Sequence, residues 1–303
     1  MDRRQFFGSS LIAGIGLTGA GITQASAKTT AELDKRKDAK LRISCQLAPA
    51  PGKTIEEKLA AMKKYGCEAV EYSGNVVGKG KEFKKLADDA GLKVSAICWG
   101  SHNGDLCKED TGRIQFVKDA LKAALETAGE LEAQGVIYVP AFANQTTLSN
   151  QEIRKRCLDF LPEVGEFAVK NKTFIILEPL CRFEAFFLRQ VADGASIARD
   201  CGGLAKGVSV MGDFYHMDTE ETNNMGAFIS AGELLKHVHL AGGRAEPRRT
   251  FPGQNNLSFV EGFRGLKYIG YQGFCSFECG CAGDKAVEFP KSIEFLKKQW
   301  DEA

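Results

Sequence analysis

From Leu41 onward, short apolar runs alternate with longer amphipathic ones, and that alternation limits the fold more than any other feature of the chain. The strand candidates are RISCQLAP (42–49), EAVEYSG (68–74), VSAICWG (94–100), VIYVPAF (136–142), FIILEPL (174–180), VSVMGDFYH (208–216), HVHLAG (237–242) and FCSFECG (274–280). Between them lie helical patterns such as TIEEKLAAMKKYG and TGRIQFVKDALKAALETAGELEAQG, with apolar residues recurring at spacings of three and four. Gly66, Gly91 and Gly135 close helices just before the next strand. Eight strand–helix units in series predict a parallel sheet. A doubly wound open sheet would carry a Gly-rich GxGxxG turn after an early strand, and none is present. The expectation is one (β/α)8 TIM barrel over residues 41–303, a length typical of that fold.

What precedes the barrel reads as an address. Arg3 and Arg4 lead into the mild apolar run LIAGIGLTGAGIT, and Ala25-Ser26-Ala27 supplies small residues at a cleavage position before Lys28. That run is too short and too glycine-rich for a bilayer span. The paired arginines resemble a twin-arginine export signal, with Asp2 and Phe7 departing from the usual pattern. Residues 1–27 are therefore expected to be a signal peptide, 28–40 a polar linker, and the mature protein periplasmic, without membrane attachment after cleavage. Forty Lys and Arg against 39 Asp and Glu leave a net charge of +1, which argues against a nucleic-acid partner. The ten cysteines include no CxxC pair, which excludes a zinc ribbon.

In such barrels the chemistry sits at the C-terminal ends of the strands. The fifth strand candidate carries Glu178 there, the sixth Asp213, the seventh His239 and the eighth Glu278. Three carboxylates at one barrel mouth are costly to bury unless a cation joins them. Three oxygen ligands and one imidazole form a hard donor set suited to one divalent ion, Mn²⁺ first with Mg²⁺ or Co²⁺ as its alternatives, better than to a structural zinc. His237 shares a strand face with His239 and is expected one layer lower, in a supporting or core role. Glu71, at the end of the second strand, is a candidate for substrate contact or for a hydrogen bond to a neighbouring loop. Trp99 and His102 could wall a sugar site or simply cover the core. Cys45, Cys98, Cys279 and Cys281 read as small core residues with no base beside them.

The order Glu178, Asp213, His239, Glu278 resembles the xylose isomerase-like barrels known as sugar phosphate isomerases/epimerases, and within them the ketose 3-epimerases of the tagatose/psicose type. In LEPLCRFE, Arg182 and Glu184 follow Glu178 at that family's spacing, and DFYH sets His216 three residues after Asp213. PGQNNLSF (252–259) is similar to the family's stretch after the metal His, but GGRAEPRRT before it is longer, so Arg244 and Arg249 compete for the family's arginine role. The resemblance implies that Glu178 and Glu278 both bind the metal and act as opposed bases. It also implies that Arg182, Glu184, His216 and one of the two arginines hold the sugar.

The expected chemistry is proton abstraction beside a ketose carbonyl, through an enediolate. A lyase or dehydratase acting on a keto-sugar or 3-keto-glycoside would use the same groups, and export favours that alternative. A non-catalytic sugar-binding protein would not need two opposed glutamates. The DNA-repair branch of this fold needs a histidine-rich zinc cluster, which four histidines do not supply. With no phosphate-binding Gly-rich loop, the expected partner is a neutral sugar or glycoside.

Overall fold

The structure is a computed structural model that describes residues 38–100, 102, 104–142 and 147–303. The expected signal peptide and linker residues 28–37 lie outside the described residues. Elements follow in the order β1 (Arg42–Gln46), α1 (Ile55–Lys64), β2 (Ala69–Ser73), α2 (Gly80–Asp89), β3 (Lys93–Cys98), α3 (Gly112–Glu130), β4 (Gly135–Tyr138) and α4 (Asn150–Lys170). The second half adds β5 (Phe174–Leu177), α5 (Val191–Asp200), β6 (Val208–Asp213), α6 (Phe214–Glu220), α7 (Asn224–Ala231), β7 (Leu235–Leu240), α8 (Val260–Tyr268), β8 (Phe274–Phe277) and α9 (Lys285–Glu302). The strands pair in sequence order and β1 closes against β8, all parallel, as the alternation predicted.

All eight strands end before their apolar runs do, and at β4, β5 and β6 the sequence shows why. β4 and β5 stop at Tyr138 and Leu177, just ahead of Pro140 and Pro179. Proline has no N–H to give a ladder, so pairing ends there. β6 stops at Asp213 because that side chain caps a helix: Oδ1 accepts the Tyr215 N–H at 2.9 Å, and Phe214 to His216 form the first turn of α6 instead of more strand.

Period-two alternation divides each strand between two environments. Ile43, Cys45, Val70, Tyr72, Ile175, Leu177, Val238, Leu240, Cys275 and Phe277 face the core shared with the helices. The opposite parity fills the barrel, where Ala96, Ile137, Ile176 and Met211 form an apolar cluster of their own. Three interior serines are satisfied locally, since the Ser44 and Ser95 hydroxyls meet at 2.7 Å and Ser209 donates to the Ile175 carbonyl at 2.9 Å, whereas the buried Ser276 hydroxyl has no hydrogen-bond partner. The helices start on side-chain caps such as the Thr54/Glu57 and Ser149/Glu152 capping boxes of α1 and α4. Gly165 lets α4 lie directly on the turn before β6, since a Cβ there would stand 1.9 Å from the Lys206 carbonyl oxygen.

Candidate active site

Inward parity carries over to the strand ends. On β7, His237 and His239 face inward while Val238 and Leu240 pack outward, and Ile176 on β5 and Ser276 on β8 continue the same alternation, with Glu178 and Glu278 one residue past those strands' ends. β6 places Asp213 in register with His239. One potential ligand atom from each of Glu178, Asp213, His239 and Glu278 lies within 4.8 Å of the others, so the four sequence candidates converge on one centre.

The donor set fits a divalent cation on two observations. His239 Nδ1 is buried and has no hydrogen-bond partner, yet it stands 2.9 Å from Glu278 Oε2 and 3.5 Å from Glu178 Oε1. A buried nitrogen aimed at carboxylates without donating to them is arranged as a ligand. Asp213 uses Oδ1 for the α6 cap, which leaves Oδ2 facing the centre.

Beneath the centre, Glu71 is fully buried and accepts from three directions: His239 Nε2 at 3.0 Å, His237 Nε2 at 2.7 Å and Gln46 Nε2 at 2.7 Å. His237 sits one layer down, as its strand position predicted. Burial pushes the Glu71 carboxyl up, but the two imidazoles outweigh it and hold it well below the usual range. The outer glutamates differ. Burial raises Glu178, while in Glu278, which is more exposed, His239 and Arg249 outweigh burial and pull the carboxyl down.

The loop after β7 places the two arginines at different depths. Gly243 allows close approach to α6, where Asp218 Oδ2 takes the Arg244 N–H at 2.8 Å. Arg249 has φ +48°, the left-handed region that a non-glycine residue enters at a cost of roughly 1–2 kcal/mol. Its backbone is pinned there by Arg249 N–H to Gly243 O (3.1 Å) and Gly280 N–H to Arg249 O (2.8 Å). The twist sends its guanidinium inward to Glu278 Oε2 at 2.5 Å and Asp213 Oδ2 at 3.2 Å. Arg244 stays further out, with Nη1 3.3 Å from the Tyr215 hydroxyl and its guanidinium stacked on Phe183 at 4.1 Å.

His216, three residues after Asp213, accepts the Cys181 N–H on Nδ1 at 3.2 Å and turns Nε2 toward Asp213 at 3.4 Å. Burial works against its charged form, and the Asp213 charge outweighs that and raises its pKa. Glu184 joins the same corner, with Oε1 3.7 Å from Cys181 Sγ. Arg182 stands apart. Its backbone N–H and its guanidinium are clasped by Glu220, at 2.7 and 2.8 Å, and its side chain is otherwise turned to solvent. Glu71 likewise lies under His239 instead of at the open rim of the barrel, both oxygens occupied.

Several contributors were hidden in the sequence. Glu220 falls four residues after His216 on α6, a helical spacing that could have marked it. Cys98, read as core, donates its thiol to Glu278 Oε1 at 3.7 Å. Trp99 is buried, packed edge-on against His102 and beside Tyr138, the placement of a residue that covers the core. The thiols of Cys45, Cys98 and Cys279 are pushed well up by burial, which leaves them unreactive.

Comparisons with known proteins agree with this geometry. The profile described as "Xylose isomerase-like TIM barrel" matches residues 59–299. A 3-dehydro-D-guloside 4-epimerase of Escherichia coli (strain K12) is 30% identical over 80% of this chain and 94% of its own length. A D-psicose 3-epimerase of Enterocloster bolteae is 29% identical over 65% of each chain. The crystal structure of an apo 3-keto-D-glucoside 4-epimerase from E. coli superposes with a TM-score of 0.76 at 27% identity, covering 86% of this chain and all of that one. The chain belongs to the xylose isomerase-like TIM barrel family, and its place there is among the epimerases, enzymes of the isomerase class.

Proposed function

We propose that this protein is a divalent-metal-dependent epimerase of keto-sugars, keto-glycosides foremost, and that Glu178 and Glu278 are its two bases. The observation that carries the reading is the convergence of Glu178, Asp213, His239 and Glu278 within 4.8 Å at the ends of four successive strands. Substrate choice rests on the E. coli 3-dehydro-D-guloside 4-epimerase, which this chain matches over nearly that protein's whole length. The four side chains would hold the ion, and the hard donor set favours Mn²⁺.

When bound, the cation withdraws charge from the substrate carbonyl and its neighbouring hydroxyl, which acidifies the C–H beside the carbonyl. Glu178 and Glu278 reach the centre from β5 and β8, with Asp213 and His239 between them on β6 and β7. Two carboxylates on flanking strands can address opposite faces of one carbon. One takes the proton to give an enediolate, and the other, protonated, returns one on the far face. No electrons are exchanged with a partner, and the product has the substrate's mass. Arg249 neutralises the carboxylates and donates toward substrate oxygens, while His216 and Glu184 line the adjoining corner. The reading extends to location: Arg3, Arg4 and the Ala25-Ser26-Ala27 site support export of the mature enzyme by the twin-arginine route.

The test is product analysis in heavy water, with the mature protein and excess Mn²⁺ acting on free ketoses and 3-keto-glycosides. The expected product is an equal-mass epimer that gains solvent deuterium at a single carbon. Release of an alcohol from the glycoside would show a lyase instead and overturn the epimerase reading.

A further inference from the structure

The loop after β5 holds an aromatic ring out into solvent. Phe183 is 63% exposed, the most open of the exposed large apolar side chains among the described residues. It is not loose. Arg182 before it is tied to Glu220, and Glu184 and Ala185 after it both donate backbone N–H groups to the Cys181 carbonyl, at 2.8 and 2.9 Å. Ala185 is fully buried. With both flanks anchored, the turn fixes Phe183 at its tip. A ring left in water at a fixed position offers its apolar surface to a ligand.

A stack of alternating rings and guanidiniums connects the ring to the centre. Arg244 lies over Phe183 at 4.1 Å and faces Tyr215 at 5.5 Å. Arg249 lies over the same Tyr215 ring at 4.5 Å and reaches Glu278 at 2.5 Å. Tyr215 is buried, so the stack emerges from the protein at Arg244 and Phe183. Among the described residues the Arg244 side chain makes hydrogen bonds through Nη1 alone, to Tyr215 and Cys181, which leaves Nε and Nη2 for another acceptor. An open apolar ring beside free guanidinium donors is the pairing that receives a pyranose, whose C–H face stacks while its hydroxyls accept.

We propose that Phe183 and Arg244 form a subsite for a second sugar ring, the one joined through the glycosidic oxygen to the keto-sugar that reacts at Glu178 and Glu278. This deepens the function proposed above and rests on it. The subsite would make the enzyme prefer keto-glycosides with a sugar aglycone over simple keto-sugars.

The experiment compares kcat/KM for a 3-keto-disaccharide and for methyl 3-keto-glucoside, with metal in excess, in wild type, Phe183→Ala and Phe183→Trp. Sedimentation of each variant is measured alongside. In Phe183→Ala the disaccharide-to-methyl ratio is expected to fall about tenfold, mostly through KM, while Phe183→Trp retains the wild-type ratio. An unchanged ratio in Phe183→Ala overturns the subsite and leaves the epimerase reading standing. So does a change in sedimenting mass without a change in ratio, which would make Phe183 a contact between copies of the chain. Turnover of free ketoses but of neither glycoside also overturns the subsite alone. Wild type inactive on every ketose and keto-glycoside overturns the reaction and the subsite with it.

Discussion

His239 presents Nε2 to Glu71 at 3.0 Å beneath the site, and Nδ1 to the Glu178 and Glu278 carboxylates above it. The hydrogen bond to Glu71 fixes the ring's tautomer and rotation, so the lone pair on Nδ1 points where a cation is needed.

Glu71→Gln should therefore weaken metal binding without removing a ligand. The amide can no longer accept from both imidazoles and Gln46 through two charged oxygens. A loss of roughly 10–100-fold in Mn²⁺ affinity is expected, measured by titration of chelator-stripped protein. Asp213→Ala, which removes a ligand, should lose at least as much. Wild-type affinity in Glu71→Gln would show that the buried network serves packing alone.

Acid sensitivity should be traceable to the loop after β3. Asp105 accepts from Lys108 at 2.5 Å and Arg113 at 2.6 Å. Burial alone would raise its carboxyl, but those two cations outweigh it and bring the pKa down to about 2. A depressed folded-state pKa stabilises the fold above the unfolded value near 3.9, and that contribution is lost as pH falls toward about 2. Asp105→Asn should be less stable than wild type at pH 7 by on the order of 1 kcal/mol. Urea unfolding should show the difference shrinking between about pH 4 and pH 2. A difference that stays constant over that window would remove Asp105 as its source.

The proposed export predicts a specific N-terminus. Protein recovered from outside the cytoplasm of the native cell should begin at Lys28, as read by terminal sequencing. Replacing Arg3 and Arg4 with Lys should leave precursor in the cytoplasm. An uncleaved N-terminus on the active enzyme would contradict the assignment.

The barrel and the centre were legible in the sequence because both follow from local rules. Strand period and helix period alternate plainly, and an ionisable residue after an apolar run marks a strand end whatever its neighbours. That was enough to bring Glu178, Asp213, His239 and Glu278 together. The exact ends of β4, β5 and β6 needed the proline and cap rules applied one residue at a time, at Pro140, Pro179 and Asp213. What stayed hidden depends on contacts between distant segments. Glu220 meets Arg182 across 38 positions, and Cys98 meets Glu278 across 180. Whether Arg244 or Arg249 turns inward depends on a left-handed backbone at Arg249, which no side-chain pattern announces. Glu71 looked like a rim residue until its register with Gln46 set it beside His237 and His239.

The central claim, that Glu178 and Glu278 are bases as well as metal ligands, is tested most directly by exchange of the substrate's carbon-bound proton with heavy water. Glu178→Gln and Glu278→Gln keep size and one oxygen ligand but remove the basic carboxylate. With Mn²⁺ in excess and metal occupancy confirmed, each variant should still bind substrate while turnover and deuterium incorporation fall by on the order of 10² or more. Near-normal exchange in both variants, with metal bound, would contradict the account and leave the two glutamates as ligands alone.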